Sequence, residues 1–334
     1  MFFKNLLITG GAGYCGSVLV PQLLKLGHRV RVFDTFYFGN YLPKNYGSSL
    51  EFIEGDIRDS KKISESLTDI DAVIHLACIS NDASFELDES LSTEINLKAF
   101  EPLVEASKRA GVNRFIYASS SSVYGVSSKS NVTEDHPLVP LTLYNKYKGM
   151  CEPILFSHTS EHFEGVIFRP ATVCGFSPRQ RLDLSVNILT NLAINNRRIT
   201  VFGGEQMRPN LHIQDYCDVV KLLLVADSSK IKNQIFNAGA ENLTILEIAN
   251  KVKNIVEQQF KGDPISIEMT KSDDNRSYHI NSDKIFNILG YKPKLSLEQA
   301  VLDLCNAFKD GLIPNSLSDE SYFNVKSLKK LNIR

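Results

Sequence analysis

The stretch from Lys4 to Gly16, KNLLITGGAGYCG, decides the fold that this sequence predicts. Its apolar residues indicate a buried strand, and the run 17–25 after the glycines has the pattern of a helix. Gly10, Gly13 and Gly16 recur at every third position between the two. Glycines there allow a tight turn and let backbone N–H groups approach a pyrophosphate at the helix N-terminus, where the helix dipole favours negative charge. The stretch therefore predicts a dinucleotide-binding loop.

An acidic residue after the second predicted strand indicates which dinucleotide binds. The strand Arg29–Phe33 leads into Asp34, about 20 residues beyond the glycine loop. A carboxylate there accepts a hydrogen bond from a free ribose 2′-hydroxyl and repels a 2′-phosphate, which predicts NAD rather than NADP. Arg31 is the one residue nearby that favours a phosphate, and its place in the strand predicts that it faces solvent. The alternative for Asp34 is a simple turn residue. The cofactor-binding residues predicted from the glycine loop and the second strand are Gly10, Gly13, Tyr14, Cys15, Gly16 and Asp34.

The composition is that of an ordinary globular protein, without a large net charge or a membrane-spanning stretch. The chain has 334 residues, 43% of them hydrophobic and 22% charged, with a net charge of −1. This balance favours neither nucleic acid nor a membrane as partner. The six cysteines are scattered without a C-x-x-C pair, which is typical of reduced thiols and of a cytoplasmic protein without a disulfide framework or metal site. No signal peptide is expected, because the apolar start merges into the glycine loop.

Apolar strands alternate with helical patterns through the first half of the chain. The pattern predicts an α/β fold with a Rossmann-type doubly wound parallel sheet, whose ligands bind at the carboxyl ends of the strands. The less regular second half predicts a smaller mixed α/β C-terminal substrate domain over that edge. Residues 1–175 and 212–240 are assigned to the NAD-binding domain, and residues 176–211 and 241–334 to the substrate domain. The predicted helices of the first half are 60–68, 90–110 and 142–162.

A tyrosine and a lysine four residues apart are candidates for acid–base chemistry. Tyr144 and Lys148 fall on one face of the helix predicted there. A nearby cation, together with the positive nicotinamide of NAD, favours the phenolate, so Tyr144 can take a proton from a substrate hydroxyl. The serine run 119–122 follows a predicted strand and offers a hydroxyl to the same oxygen. The alternatives are a core tyrosine with a surface lysine, and an ordinary polar loop.

Taken in order, these motifs resemble one family. They are Gly10-Gly11-Ala12-Gly13, Gly16, Asp34, Gly55-Asp56-Ile57, His75-Leu76-Ala77, Ser119-Ser120, Val123-Tyr124-Gly125 and Tyr144-x-x-x-Lys148. The pattern, which spans about residues 4–300, is similar to that of the extended short-chain dehydrogenases/reductases acting as nucleotide-sugar epimerases and dehydratases. The resemblance implies tightly bound NAD, a UDP-, GDP- or CDP-linked sugar as substrate, a 4-keto sugar intermediate and a homodimer.

The resemblance also implies roles for single residues. Ser120 is the expected catalytic hydroxyl, Tyr144 the base, and Lys148 its partner and a ligand of the nicotinamide ribose. Asp56, Ile57 and Ala77 are expected to contact the cofactor, and Asn96 matches a helix asparagine near the active-site strands. Arg208 and Arg276 match arginines that clamp the substrate diphosphate. The remaining substrate-binding candidates are Asn81, Asp82, Thr172, Arg179 and Arg181. The alternative for Asn81 and Asp82 is a helix cap.

Departures from the family pattern narrow the expected reaction. Sugar 4,6-dehydratases of this group carry an Asp-Glu pair directly after the catalytic hydroxyl, where this chain has Ser121 and Ser122. This disfavours a dehydratase and leaves a 4-epimerase and a 4-dehydrogenase open, with a dehydratase or 4-keto reductase as the alternative. The subgroup resemblance suggests bacterial surface-polysaccharide enzymes, including those acting on GDP-linked heptose. A non-catalytic NAD-binding regulatory protein is the alternative of another class, and the tyrosine–lysine pair argues against it.

Overall fold

The computed structural model of the chain describes residues 3–331, apart from 128, 130 and 272–276. Its strands are β1 (Asn5–Thr9), β2 (Arg29–Asp34), β3 (Leu50–Glu54), β4 (Ala72–His75), β5 (Arg114–Ala118), β6 (Glu164–Pro170), β7 (Thr172–Cys174), β8 (Arg198–Phe202), β9 (Met207–His212), β10 (Gln234–Ala238), β11 (Glu241–Thr244) and β12 (Ser266–Thr270).

The helices connect these strands. They are α1 (Gly16–Lys25), α2 (Ser60–Ser66), α3 (Asp82–Phe85), α4 (Glu89–Thr93), α5 (Phe100–Arg109), α6 (Leu143–Ser157), α7 (Ser185–Asn196), α8 (Ile213–Val225), α9 (Ser228–Ile231), α10 (Ile245–Gln259), α11 (Asp283–Leu289), α12 (Leu297–Lys309) and α13 (Asn324–Leu331). Within the described ranges, no helix is long and apolar enough to cross a membrane.

The central sheet has seven parallel strands in the order β10-β6-β5-β4-β1-β2-β3. In β1, Leu6 pairs with Val30 of β2 and with Ala72 of β4. Leu6 and Ile8 pack into one core cluster and Leu7 into another, because successive side chains of a strand point to opposite faces. Burial on both faces explains the unbroken apolar run of this strand. The sheet confirms the predicted Rossmann-type fold.

Helices cover both faces of the sheet. Side chains of α1 and α8, such as Leu19 and Val220, pack with Leu6 and Ile8 on one face. Side chains of α2, α5 and α6 pack with Leu7 on the other. The strand order reverses between β1 and β4, and a crevice at their carboxyl ends is where such sheets bind ligands.

A smaller mixed region lies beyond that edge. It contains the three-stranded sheet β11-β9-β7, the pair β12-β8 and the helices α7, α10 and α12. Its own core joins Val186, Val252 and Val301, one residue from each of these helices. The mixed character matches the prediction, while the domain limits proposed from the sequence stay a prediction.

The helix predicted over 90–110 is interrupted. It consists of α4, a π-helical turn at Glu94–Lys98, and α5. The helix predicted over 142–162 continues through Pro153 and ends earlier than expected, at Ser157. The six cysteines are free thiols. Burial raises the pKa of the Cys174 thiol, as expected for a structural cysteine.

Candidate active site

A cavity of about 1010 Å³ lies at the carboxyl edge of the central sheet. It is walled by the loops after β1, β2, β4 and β5 and by the start of α6, and the mixed region supplies the opposite side. The catalytic, cofactor-binding and substrate-binding residues predicted from the sequence all line it, except Arg276, which is outside the described residues. The lining residues among them are Gly10, Gly13, Tyr14, Cys15, Gly16, Asp34, Asp56, Ile57, Ala77, Asn81, Asp82, Ser120, Tyr144, Lys148, Thr172, Arg179, Arg181 and Arg208.

The glycine loop is shaped by close backbone contacts. Gly10 has a φ of 73°, and a Cβ on it would lie 2.6 Å from the backbone nitrogen of Ala77. A Cβ on Gly16 would overlap the carbonyl oxygen of Gly11. Both positions therefore require glycine, and the loop meets α1 without side chains in the way. Such a helix N-terminus fits the pyrophosphate of a dinucleotide.

Asp34 is held at the cavity wall by the backbone. Its two carboxylate oxygens accept hydrogen bonds from the backbone nitrogens of Ala12 and Phe36, each at 2.9 Å. Burial raises the pKa of Asp34, although these N–H donors lower it in part. Arg31 is bound instead to Glu51, at 2.6 Å, and to the Ser66 carbonyl oxygen, at 2.7 Å. The prediction that Arg31 faces solvent is therefore wrong, because the half-buried guanidinium is held by Glu51 and backbone carbonyls. Arg31 does not line the cavity, which agrees with an NAD site.

Asp56 and Ile57 follow β3 at the far end of the cavity. Burial alone would raise the pKa of Asp56, but the hydrogen bonds and charge of Arg58 lower it. Arg58 binds both oxygens of Asp56, through Nε at 3.0 Å and Nη2 at 2.8 Å. Ile57 is buried and offers an apolar face. This pair suits the adenosine end of the cofactor.

The catalytic candidates come from β5 and α6. Ser120 follows β5, and its Oγ lies 2.7 Å from the Oγ of Ser122. Ser122 in turn donates to the Asn145 side-chain oxygen at 2.5 Å. Lys148 is buried, and its Nζ donates to the Ala118 carbonyl oxygen at 2.8 Å. These bonds join the end of β5 to the first turns of α6, the helix that carries Tyr144.

Burial dominates the environment of Tyr144 in the protein without cofactor. Burial, together with the nearby Cys78 and Asp82, raises the pKa of Tyr144 well above its usual value. The charge of Arg181 opposes this shift in part. Desolvation of the phenolate is the largest cause of this shift. The expectation that Lys148 and the positive nicotinamide of NAD together favour the phenolate stays a prediction for the complex with NAD.

A buried ionic network stands behind the catalytic candidates. Glu152 lies one helical turn after Lys148 on the same face of α6. Its carboxylate accepts hydrogen bonds from Ser119 Oγ at 2.6 Å, and from Arg169 Nε and Nη2 at 2.9 and 2.6 Å. Arg169 also donates to the Tyr124 hydroxyl at 2.7 Å. The network docks α6 against β5 and β6. It could not be predicted, because nothing local in the sequence marks Glu152 as the partner of a distant arginine.

The substrate-binding candidates differ in how far their polar groups are engaged. Asn81 Oδ1 accepts from Ser84 N at 2.8 Å, so this oxygen caps α3. Asp82 accepts a hydrogen bond of 2.5 Å from the hydroxyl of Thr142, the residue that caps α6. Arg208 donates to the Met207 carbonyl oxygen at 2.9 Å.

Two further features at the cavity could not be inferred from the local sequence. Asn96, which only the family resemblance singles out, lies in the π-helical turn, and its side chain binds both Ile79 N, at 2.8 Å, and Ile79 O, at 2.9 Å. It therefore shapes the loop after β4. The mixed region adds an apolar wall that no motif indicates, formed by Ile188, Leu189, Leu192, Phe202 and Ile245.

Comparison with known proteins identifies the family. The sequence model of the NAD dependent epimerase/dehydratase family matches residues 6–239. The chain belongs to this family. NAD is therefore confirmed as the cofactor, in agreement with the glycine loop and Asp34.

Relatives of the chain include epimerases and dehydratases. The chain is 30% identical over 317 residues to a UDP-glucose 4-epimerase of Lactobacillus helveticus, covering 87% of this chain and 92% of the relative. The crystal structure of a Thermotoga maritima UDP-glucose 4-epimerase with UDP-glucose is 26% identical, with a TM-score of 0.81 over 92% of this chain and 100% of that one. A Streptomyces venezuelae dTDP-glucose 4,6-dehydratase with NAD bound is 25% identical, with a TM-score of 0.80 over 92% and 97% of the two chains.

Proposed function

We propose that this protein is an NAD-dependent 4-epimerase of a nucleotide-linked sugar. The observation that carries the proposal is the meeting of Ser120, Tyr144 and Lys148 in one cavity with the glycine loop. The similarity to UDP-glucose 4-epimerases supports a UDP-linked substrate.

Each side chain has a defined task in this reaction. NAD, when bound, supplies the acceptor and donor of the C4 hydride and a positive charge that favours the phenolate of Tyr144. Tyr144 takes the proton from the C4 hydroxyl and returns it after the 4-keto sugar has presented its other face. Ser120 donates a hydrogen bond to the same oxygen and stabilises its developing charge. Lys148 supplies a buried cation at the end of β5.

The environment of Ser121 and Ser122, which stand where dehydratases of the family carry an Asp-Glu pair, supports epimerisation over dehydration. Ser121 is buried and does not line the cavity. Ser122 lines the cavity, but its hydroxyl is committed to Asn145. Neither is an acid that protonates a leaving C6 hydroxyl near neutral pH. A 4-dehydrogenase would use the same three residues and would additionally need a compound that reoxidises NADH.

The diphosphate of the substrate is assigned to the mixed region. Arg208 on β9 lines the cavity beside Tyr278, whose ring centroid lies 6.0 Å from its guanidinium carbon. Arginine suits a diphosphate because its planar fork binds two oxygens at once. Arg276 belongs to the same proposal from its place in the sequence. The surface-polysaccharide role, the homodimer and the cytoplasmic location stay predictions.

Product analysis tests the proposal. The purified protein is incubated with UDP-glucose and with a panel of other UDP-, GDP- and CDP-linked sugars, and the products are identified by mass spectrometry and NMR. An epimer of unchanged mass is expected. Loss of about 18 daltons would show a dehydratase, with Asp82 as the acid to test, and loss of about two would show net C4 oxidation, since these masses follow from the proton and hydride balance.

Two tyrosines of one helix provide the matched variants. Tyr144→Phe should lower kcat by about 10²- to 10⁴-fold, the range for one general base, with little change in substrate affinity. Tyr147→Phe is the control, because Tyr147 packs against Phe85 and does not line the cavity. Equal activity of the two variants would show that Tyr144 only packs.

A further inference from the structure

One arginine of the cavity wall is buried and forms no ion pair with the residues that the structure describes, although the charges of Asp183 and Asp34 act on it from a greater distance. The side chain of Arg179 is 2% exposed, and its Nη2 donates to the Asn324 side-chain oxygen at 2.6 Å. Its Nε and Nη1 have no hydrogen-bond partner among the residues that the structure describes. The guanidinium carbon lies 4.1 Å from the centroid of the Phe38 ring. A buried cation with free donors is unfavourable unless an anion completes the site.

The neighbouring arginine shows what a completed site looks like. Arg181, two residues further on, donates to Asp183 through Nε at 2.8 Å and Nη2 at 3.1 Å. Its Nη1 donates to Ser80 Oγ at 3.1 Å. Burial and the charge of Arg181 lower the pKa of Arg179 to about 9, which an added anion would reverse. Each guanidinium nitrogen of Arg181 thus has a partner, whereas Nε and Nη1 of Arg179 have none among the described residues.

The loop that carries Arg179 is fastened to the glycine loop. The Tyr14 hydroxyl donates to the Gly175 carbonyl oxygen at 2.7 Å, and Ser177 Oγ donates to the Tyr14 carbonyl oxygen at 2.7 Å. Phe38, which stacks on Arg179, lies shortly after Asp34 in the chain and lines the same cavity. Arg179 thus stands at the cofactor end of the cavity, whereas Arg208 belongs to the mixed region.

The C-terminal segment sets the direction of the guanidinium. Asn324 is the first residue of α13 and is held by two bonds besides the one to Arg179. Its backbone nitrogen donates to Asp183 at 3.1 Å, and its Nδ2 donates to Ser80 Oγ at 3.0 Å. The side-chain oxygen of Asn324 accepts the hydrogen bond from Nη2 of Arg179. Nε and Nη1 of Arg179 are therefore the donors that have no partner among the residues that the structure describes.

We propose that Arg179 binds the pyrophosphate of NAD, together with the glycine loop, and that Asn324 is the positioning residue that aims its guanidinium. This assigns Arg179 to the cofactor, whereas the sequence alone predicts that it binds the substrate. The C-terminal helix thereby becomes part of the cofactor site.

Binding measurements on the full chain, cleared of bound nucleotide, test the assignment. Calorimetry is run with NAD, ADP-ribose, adenosine, UDP and NADP on the wild type, Arg179→Gln and Arg179→Lys. Arg179→Gln should weaken NAD and ADP-ribose by about 10- to 100-fold, the loss of one or two charge-assisted hydrogen bonds. Adenosine and UDP should bind unchanged, and Arg179→Lys should recover part of the affinity. Asn324→Ala should weaken NAD to a smaller degree.

A thermal readout separates ligand binding from a structural role. Because the buried charge lacks an anion in the free protein, Arg179→Gln should leave the ligand-free Tm unchanged or raise it, while reducing the shift that NAD produces. The control is Arg198→Gln, at an exposed ion pair with Glu268 in the mixed region. Unchanged NAD affinity would overturn the proposal, and so would a lower ligand-free Tm or failure to fold. If Arg179→Gln weakened the binding of UDP alone, Arg179 would be a substrate-binding residue, as the sequence predicts. If it weakened the binding of NADP alone, Arg179 would bind a 2′-phosphate.

Discussion

Replacement of Glu152 by glutamine tests how the catalytic helix is held against the sheet. The carboxylate of Glu152 accepts hydrogen bonds from Ser119 and from two nitrogens of Arg169. Both Glu152 and Arg169 are 3% exposed. Glutamine keeps the shape of the side chain and one oxygen, but its amide group would place a donor against the donors of Arg169.

The magnitude follows from the burial of the pair. Removing one partner of a buried ion pair leaves the other charge uncompensated and costs about 3–5 kcal/mol. Burial alone lowers the pKa of Arg169, whereas the hydrogen bonds and charge of Glu152 raise it above its usual value. The variant loses that support, but a guanidinium is so basic that Arg169 keeps its charge and is left buried without a counter-ion. Against a total stability of about 5–15 kcal/mol, the loss is large. We therefore expect a decrease in the free energy of unfolding of about 3 kcal/mol or more.

Urea unfolding of the ligand-free protein, followed by circular dichroism, measures this decrease. Glu105→Gln is the matched control, because it removes the same charge from an exposed pair with Arg109 and should cost less than about 1 kcal/mol. The double variant Glu152→Gln/Arg169→Gln should be less destabilised than the sum of the single variants, since no lone charge remains. If Glu152→Gln behaved like Glu105→Gln, the reasoning about this network would be refuted.

Three other predictions concern the cofactor and the core. Asp34→Asn should shift the ratio of NAD to NADP affinity toward NADP by about tenfold or more, because a carboxylate no longer repels the 2′-phosphate; an unchanged ratio by calorimetry would contradict this. Gly10→Ala should destabilise the fold and lower the NAD content of the purified protein, because its Cβ would meet the backbone of Ala77; nucleotide release and thermal unfolding measure both, and wild-type values would count against it. Burial lowers the pKa of His75 to about 3, so the unfolded chain gains a proton below its usual pKa of about 6.5 while the folded protein does not. Relative to His75→Gln, the wild type should lose about 1.4 kcal/mol of stability per pH unit as the pH falls from about 6 to about 4. Parallel curves of unfolding free energy against pH for the two proteins would disprove the lowered pKa of His75.

The parts of the site that could be predicted depend on local steric rules. The apolar run and the spacing of Gly10, Gly13 and Gly16 predict a strand, a tight turn and a helix from neighbouring residues alone. The four-residue spacing of Tyr144 and Lys148 places both on one face of a helix for the same reason. Asp34 follows its strand directly, so its place at the sheet edge could be inferred as well.

Only the tertiary structure decided how these groups are surrounded. Arg179 meets Asn324 across 145 positions of sequence, and Tyr14 meets Gly175 across 161. No local pattern encodes such pairs, because they depend on how the mixed region closes over the central sheet. The raised pKa of Tyr144 has the same origin, since burial is a property of the packed molecule. The sequence by itself determined the fold, the cofactor and the candidate residues, whereas the packing of distant segments determined which of their donors and charges remain for a ligand.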